Sequence, residues 1–307
     1  MPTQRPSTGL NHPILRVIFV VGSTLAGSQA SACSSGERGL VLGNPLPQTQ
    51  GGTAAFGGTQ GTDAGGDPSL AAGGEPGTSS EAGMGGMGSE ANDPQWVVDA
   101  CTPTIEFENR DMTLQGQLFT DAVPDPSVPM WAASHAACRL LYRNAAEVPP
   151  VTKLSLVVED YDGIASSSGT SIRLSTRYLK SQADRGVDLR AEITGILHFA
   201  TSIIFQNSGS DADPAPPSWL VVGIADYVRL ESGYIERQER AKGGSFDGSG
   251  SRTTAFFLDY LAMKSPTVVM QLNQRLAPTS PVWSNDVFKT LLGSDVDTLW
   301  ATYQASL

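Results

Sequence analysis

Polar and apolar residues alternate along this chain in two different periods, and the change of period divides it. Val151 to Val158 is β-rich, and from Leu154 through Leu156 to Val158 apolar side chains recur at every second position, the spacing of a half-buried strand. Thr104-Ile105-Glu106-Phe107 and Ser171-Ile172-Arg173-Leu174-Ser175 repeat that pattern in shorter form, and Asp160-Tyr161-Asp162-Gly163 turns the chain between them. Pro129-Met130-Trp131 opens a helix that runs on through Ala132, Cys138, Leu140, Leu141 and Tyr142. From residue 189 onward the period lengthens. Leu189, Ile193, Ile196, Leu197, Ala200, Ile203 and Ile204 form one helical stripe. Trp219 to Leu230 is a second helix, started by Pro216-Pro217-Ser218. Thr253–Met263, Thr267–Leu276, Asn285–Leu292 and Val296–Tyr303 predict four more, punctuated by Pro266 and Gly293. The expected class is α+β, with a small N-terminal mixed sheet and a helical C-terminal half.

Upstream of residue 95 neither period holds. Residues 34–94 carry 17 of the 33 glycines, with few apolar residues to offset chain entropy, so they predict a disordered Gly-rich linker. A chain of that composition and length spans about 40–45 Å on average. Gly83-Met84-Gly85-Gly86-Met87-Gly88 is low complexity, lacking the Lys-Ser/Thr of a phosphate loop. Residues 1–33 read as an export signal. Arg5 and Arg16 supply charge, Val17 to Ala26 a short apolar core, and Ala30-Ser31-Ala32 the small residues before a cleavage site. That core is shorter than the roughly 20 residues a membrane span needs. Ala30-Ser31-Ala32-Cys33 resembles a lipoprotein box, which would acylate Cys33 and anchor the chain to the cell envelope; an ordinary secreted protein is the alternative. The folded unit is expected at 95–307.

Three cysteines are present, Cys33, Cys101 and Cys138. Acylation of Cys33 would leave an even pair, free to bridge in an oxidising compartment or to stay as buried thiols. The formal charge is −11, and residues 95–307 hold 24 Asp and Glu against 17 Lys and Arg. No basic cluster stands out, so no nucleic-acid partner is expected. Ser166-Ser167-Ser168-Gly169 lacks the geometry of a nucleophile elbow. Asp160 and Asp162 would suit calcium, although two carboxylates beside a glycine more commonly make a turn.

Several ordered segments resemble one family. Gly195-Ile196-Leu197-His198-Phe199-Ala200-Thr201-Ser202-Ile203-Ile204-Phe205-Gln206 and Gly223-Ile224-Ala225-Asp226-Tyr227 are similar to the two signature helices of the plant basic secretory proteins and their bacterial relatives. Leu154 to Gly163, Arg190 to Gly195, Phe256 to Tyr260 and Leu291-Leu292-Gly293 with Asp297 to Trp300 resemble further segments of that family. The resemblance implies a zincin-like fold and zinc peptidase chemistry, with H-E-x-x-H on the first helix and a Glu opening E-G-I-A-D-Y on the second. Two His four apart would bind the metal and the adjacent Glu would activate its water. Here the ligand positions hold Phe199 and Ile203, the base position Ala200, and the third-ligand position Val222. None of these side chains has a lone pair to offer.

Asp226 is retained. It is expected either to orient a ligand or, more simply, to form a surface pair with Arg229. Of the three histidines, His12 lies in the leader, His135 on an early helix, and His198 about 100° round the helix from the motif position. The expectation is a catalytically inactive relative with no cofactor, binding a protein, peptide or glycan through its former cleft. Pro214–Ser218 and Gly243–Gly250 would rim that cleft. The alternatives are a secreted hydrolase with relocated residues and a purely structural surface domain.

Overall fold

The computed structural model describes residues 40–41, 93–207, 216–278, 280 and 282–307. The export signal, the acylation of Cys33, His12, Pro214 and almost all of the linker lie outside the described residues. The strands are β1 (Leu40–Val41), β2 (Thr104–Asn109), β3 (Lys153–Glu159), β4 (Ala165–Ser168) and β5 (Ser171–Ser175). The helices are α1 (Gln95–Cys101), α2 (Leu114–Ala122), α3 (Ser127–Leu141), α4 (Thr176–Asp184), α5 (Leu189–Phe205), α6 (Ser218–Glu231), α7 (Ser251–Lys264), α8 (Val268–Arg275), α9 (Asp286–Leu292) and α10 (Val296–Ala305). The class is therefore mixed α+β, with the strands early and seven α-helices, α4 to α10, in succession after them.

The strands run in the order β1-β4-β5-β3-β2. β2, β3 and β5 are parallel, β4 pairs antiparallel with β5, and β1 pairs antiparallel with β4. β3 and β5 are central because they carry the apolar alternation: Leu154, Leu156, Val158, Ile172 and Leu174 are all fully buried. β4 gave no apolar signal, being Ala165-Ser166-Ser167-Ser168. It exists because Gly169, at φ 57°, closes a tight turn that folds the chain back against β5. α2 and α4 are short helices that periodicity did not predict. Local caps start them: Thr113 accepts from the Gln115 N–H, and Ser175 from the Tyr178 N–H. α1 also escaped the pattern. Its last residue, Cys101, forms a disulfide with Cys138 of α3, with the Cα atoms 6.5 Å apart.

The stripe predicted on α5 understates its burial. Ile193, Gly195 to Ser202 and Phe205 are all buried, which covers every side of the helix. α5 is the central rod of the domain, with α3, α6 and β4 packed around it. A helix buried on every side carries buried residues beyond any single stripe.

Candidate functional site

The site is built where α5 meets α6. Asp188 caps α5, its carboxylate accepting from the N–H groups of Arg190 and Ala191 at 3.0 and 3.3 Å. With the start so fixed, Phe199 and Ile203 share one face, being four apart. On α6 they meet Val222 and Ala225. These four make a small apolar cluster separate from the main core: Phe199 is 3% exposed and Ala225 fully buried, with Ile203 and Val222 half-buried against them. Ala200 joins the main core instead. Its carbonyl accepts from the Ser167 hydroxyl of β4 at 3.3 Å. The structure thus brings Phe199, Ile203 and Val222 together and sets Ala200 apart. Ala225, three residues after Val222 on the same helix face, completes the cluster, and that spacing was a signal the sequence reading did not use.

The zinc that the family resemblance implies does not fit these residues. Three of the four positions end in hydrocarbon and the fourth is a methyl group. Among the described residues no group of three or more His, Cys, Asp or Glu side chains is placed to hold a metal ion.

Asp226 corrects the surface-pair expectation. It is 2% exposed and Arg229 only 7%, because α6 is covered on one side by α5 and on the other by α7. Arg229 Nη1 lies 3.9 Å from Asp226 Oδ1, and its Nη2 lies 3.7 Å from Glu192 Oε2. Glu192 in turn accepts from the Tyr178 hydroxyl. Burial raises the Asp226 carboxyl above the ordinary range, and Arg229 pulls it back only in part. Asp226 Oδ1 and Arg229 Nε are both buried without a hydrogen-bond partner among the described residues. Gly195 makes this pairing possible. A Cβ there would stand 2.9 Å from Arg229 Nε and 3.1 Å from the Tyr234 Cβ, so any larger residue would push the guanidinium off α5.

His198 is buried, at 3% exposed, so its role is internal. Its Nδ1 lies 2.9 Å from the Thr194 carbonyl, which can only accept, so Nδ1 carries the proton. Its ring packs on Tyr234 with centroids 4.6 Å apart. Burial away from water pushes the imidazole down to about 4, against the Thr194 bond that favours the charged form.

His135 lies elsewhere, between α1 and α3. Its Nδ1 is 3.1 Å from Asp93 Oδ2 and its Nε2 is 2.8 Å from the Thr102 hydroxyl. The string Asp93–His135–Thr102 has the outline of a nucleophile, base and acid. Yet the one hydroxyl proton of Thr102 also faces the Val98 carbonyl at 2.7 Å, and Asp93 is shared with Arg139. The bonds tie α1 to α3 beside the disulfide. Asp160 and Asp162 both pair with Arg177, which makes their turn an ion-paired one. In the Gly243–Gly250 loop, Phe246 is buried against Trp219, Phe257 and Trp300. No helix among the described residues is long and apolar enough to cross a membrane.

A family model described as peptidase of plants and bacteria matches residues 102–303. No curated protein and no solved structure matches the chain.

Proposed function

Since the chain belongs to the family of peptidases of plants and bacteria, we propose that it is a non-catalytic member, keeping the peptidase scaffold as a binding module. The reading includes export through residues 1–33, a lipid anchor at Cys33, and tethering by the Gly-rich stretch that follows. Its partner is a protein, peptide or glycan met at the cell envelope.

One observation carries it. Phe199, Ile203, Val222 and Ala225 pack as hydrocarbon on hydrocarbon between the two helices that correspond to the family's signature. A metal needs lone pairs, and a general base needs a proton acceptor within reach of the reacting water. Losing the metal alone would strand buried imidazoles and carboxylates, each unpaired group costing about 1–3 kcal/mol. Apolar side chains remove that cost and add about 1.5–3 kcal/mol for each one fully buried. The replacements therefore run in the direction that stabilises a domain without zinc. The reading as a hydrolase with relocated residues has only Asp93–His135–Thr102 to draw on, and there the Thr102 proton has a second acceptor.

Metal analysis of the purified full chain, combined with a general peptide-substrate screen with and without chelator, tests this reading. The expected result is zinc well below one per chain and no chelator-sensitive turnover. One zinc per chain, lost on Asp226→Ala or His198→Ala, would overturn it.

A further inference from the structure

A half-open cavity of about 150 Å³ lies between the end of α8 and the start of α9, lined by none of the residues of the α5–α6 cluster. Trp283 forms one wall. Its indole N–H donates to Asn285 Oδ1 at 3.2 Å, and the fully buried Phe288 backs it edge to face, with centroids 6.3 Å apart. The ring's one donor is therefore engaged, and what it offers the cavity is hydrocarbon and π surface. Val282 and Val287 extend that apolar wall.

The rest of the lining is polar and carries both signs. Arg275, exposed in the last turn of α8, has no ion-pair partner among the described residues. Asp286 accepts from the Ser284 hydroxyl through Oδ2 at 2.9 Å, which leaves Oδ1 able to accept from a ligand. The Thr290 hydroxyl donates to the Asp286 carbonyl at 3.1 Å and keeps its lone pairs. An anion in this cavity would be repelled by Asp286 and a cation by Arg275. A purely apolar group would strip water from both and return no hydrogen bond. A neutral ring edged with hydroxyls answers every group. Its C–H face lies on the electron-rich face of the indole, while its hydroxyls donate to Asp286 and accept from Arg275. The size agrees, since a cavity of about 150 Å³ takes up one six-membered ring.

We propose that this cavity is a binding site for a single neutral sugar ring of a glycan. The inference rests on the binding-module reading above, and gives it a ligand class and a place, between α8 and α9 and not in the former cleft. One ring held by one aromatic wall and a few hydrogen bonds binds with a Kd on the order of mM. Tighter attachment to a glycan then comes from several copies of the domain engaging neighbouring rings together.

Nuclear magnetic resonance on the full chain tests this. The reporter is the indole N–H signal of Trp283, identified by its loss in Trp283→Phe. Methyl glucoside and N-acetylglucosamine are the neutral sugar probes, indole the apolar one, and N-acetyl-leucine the anionic peptide end. The expected result is a saturable shift with at least one sugar, half complete on the order of mM, and none with indole or N-acetyl-leucine. Arg275→Ala and Asp286→Ala, both at exposed positions, should each weaken the sugar about fivefold without lowering the melting temperature. No saturable shift with either sugar up to about 50 mM would overturn the inference. So would a shift with indole or N-acetyl-leucine alone, or sugar binding that both variants leave unchanged. A failed titration of zinc-free, inactive protein sinks this inference alone, whereas bound zinc and chelator-sensitive turnover sink the reading it rests on.

Discussion

Phe199→Ala tests whether the α5–α6 junction is held by its apolar cluster. The ring is 3% exposed, and its neighbours are Ala225, fully buried, with Ile203 and Val222 half-buried. Truncating a buried Phe costs about 3–5 kcal/mol, the sum of lost transfer energy and the cavity left behind. Two of the walls here are already half in water and can close toward the gap, so the low end applies, about 3 kcal/mol. For a domain of this size each kcal/mol moves the melting temperature by about 2–4 °C, so the expected drop is about 6–12 °C. Calorimetry on the full chain at pH 7 reads it. Phe199→His is the informative companion. It returns an imidazole to the ligand position but leaves Ile203, Val222 and Ala200 without donors. The cost should be similar, because a polar ring without a partner enters an apolar cluster. Zinc should not recover it. A drop under about 2 °C for Phe199→Ala would show the ring standing in an open pocket. A zinc-dependent rise for Phe199→His would show that donors converge on that point after all, since metal at a hundredfold its Kd stabilises by about 2.7 kcal/mol. Either result would refute the reasoning.

Three further expectations follow from the same packing. His198 is neutral in the fold, with its imidazole at about 4 against about 6.5 when unfolded. The unfolded chain therefore binds the proton first, and stability is lost as pH falls from about 6.5 to 4, levelling off below that. At 1.36 kcal/mol per pH unit the difference is about 3 kcal/mol. Urea unfolding of the natural chain should show this fall, and His198→Leu should lack it; parallel pH profiles would exclude the assignment. Gly223→Ala should destabilise despite the better helix propensity of alanine, because a Cβ there would stand 2.2 Å from Thr254 Cγ2. Thr254 is fully packed and its hydroxyl is bonded to the Phe246 carbonyl at 2.5 Å, so it cannot turn aside. A loss of about 1–3 kcal/mol is expected, read as a lower urea midpoint, and a gain would mean that α6 and α7 part easily. Replacing both Cys101 and Cys138 by Ala opens a crosslink between residues 37 apart. The chain-entropy estimate gives a loss of about 4 kcal/mol, visible as a melting temperature lowered to that of the reduced natural chain.

Much of the fold could be read before any coordinates. β3, β5 and the helices from α5 onward announce themselves because their side chains repeat at the period of the backbone that holds them. The family register could also be read, since Gly195, Gly223 and Asp226 stand at fixed distances from the motif positions, and it identified Phe199, Ala200, Ile203 and Val222. β4 and α4 could not be read because their residues are largely polar, and α2 because nine residues sustain no clear period; short-range pattern says nothing about a strand made by its neighbour. The sequence likewise left open whether Phe199, Ile203 and Val222 meet, and it misjudged Asp226 and Arg229 as exposed. An i, i+3 pair looks the same on a surface helix and on a helix clamped between two others. Local spacing determined which residues share a face. What that face touches depends on the approach of a second helix, and here the absent Cβ atoms of Gly195 and Gly223 set how near α5 and α7 come to α6, and so which charges lost their water.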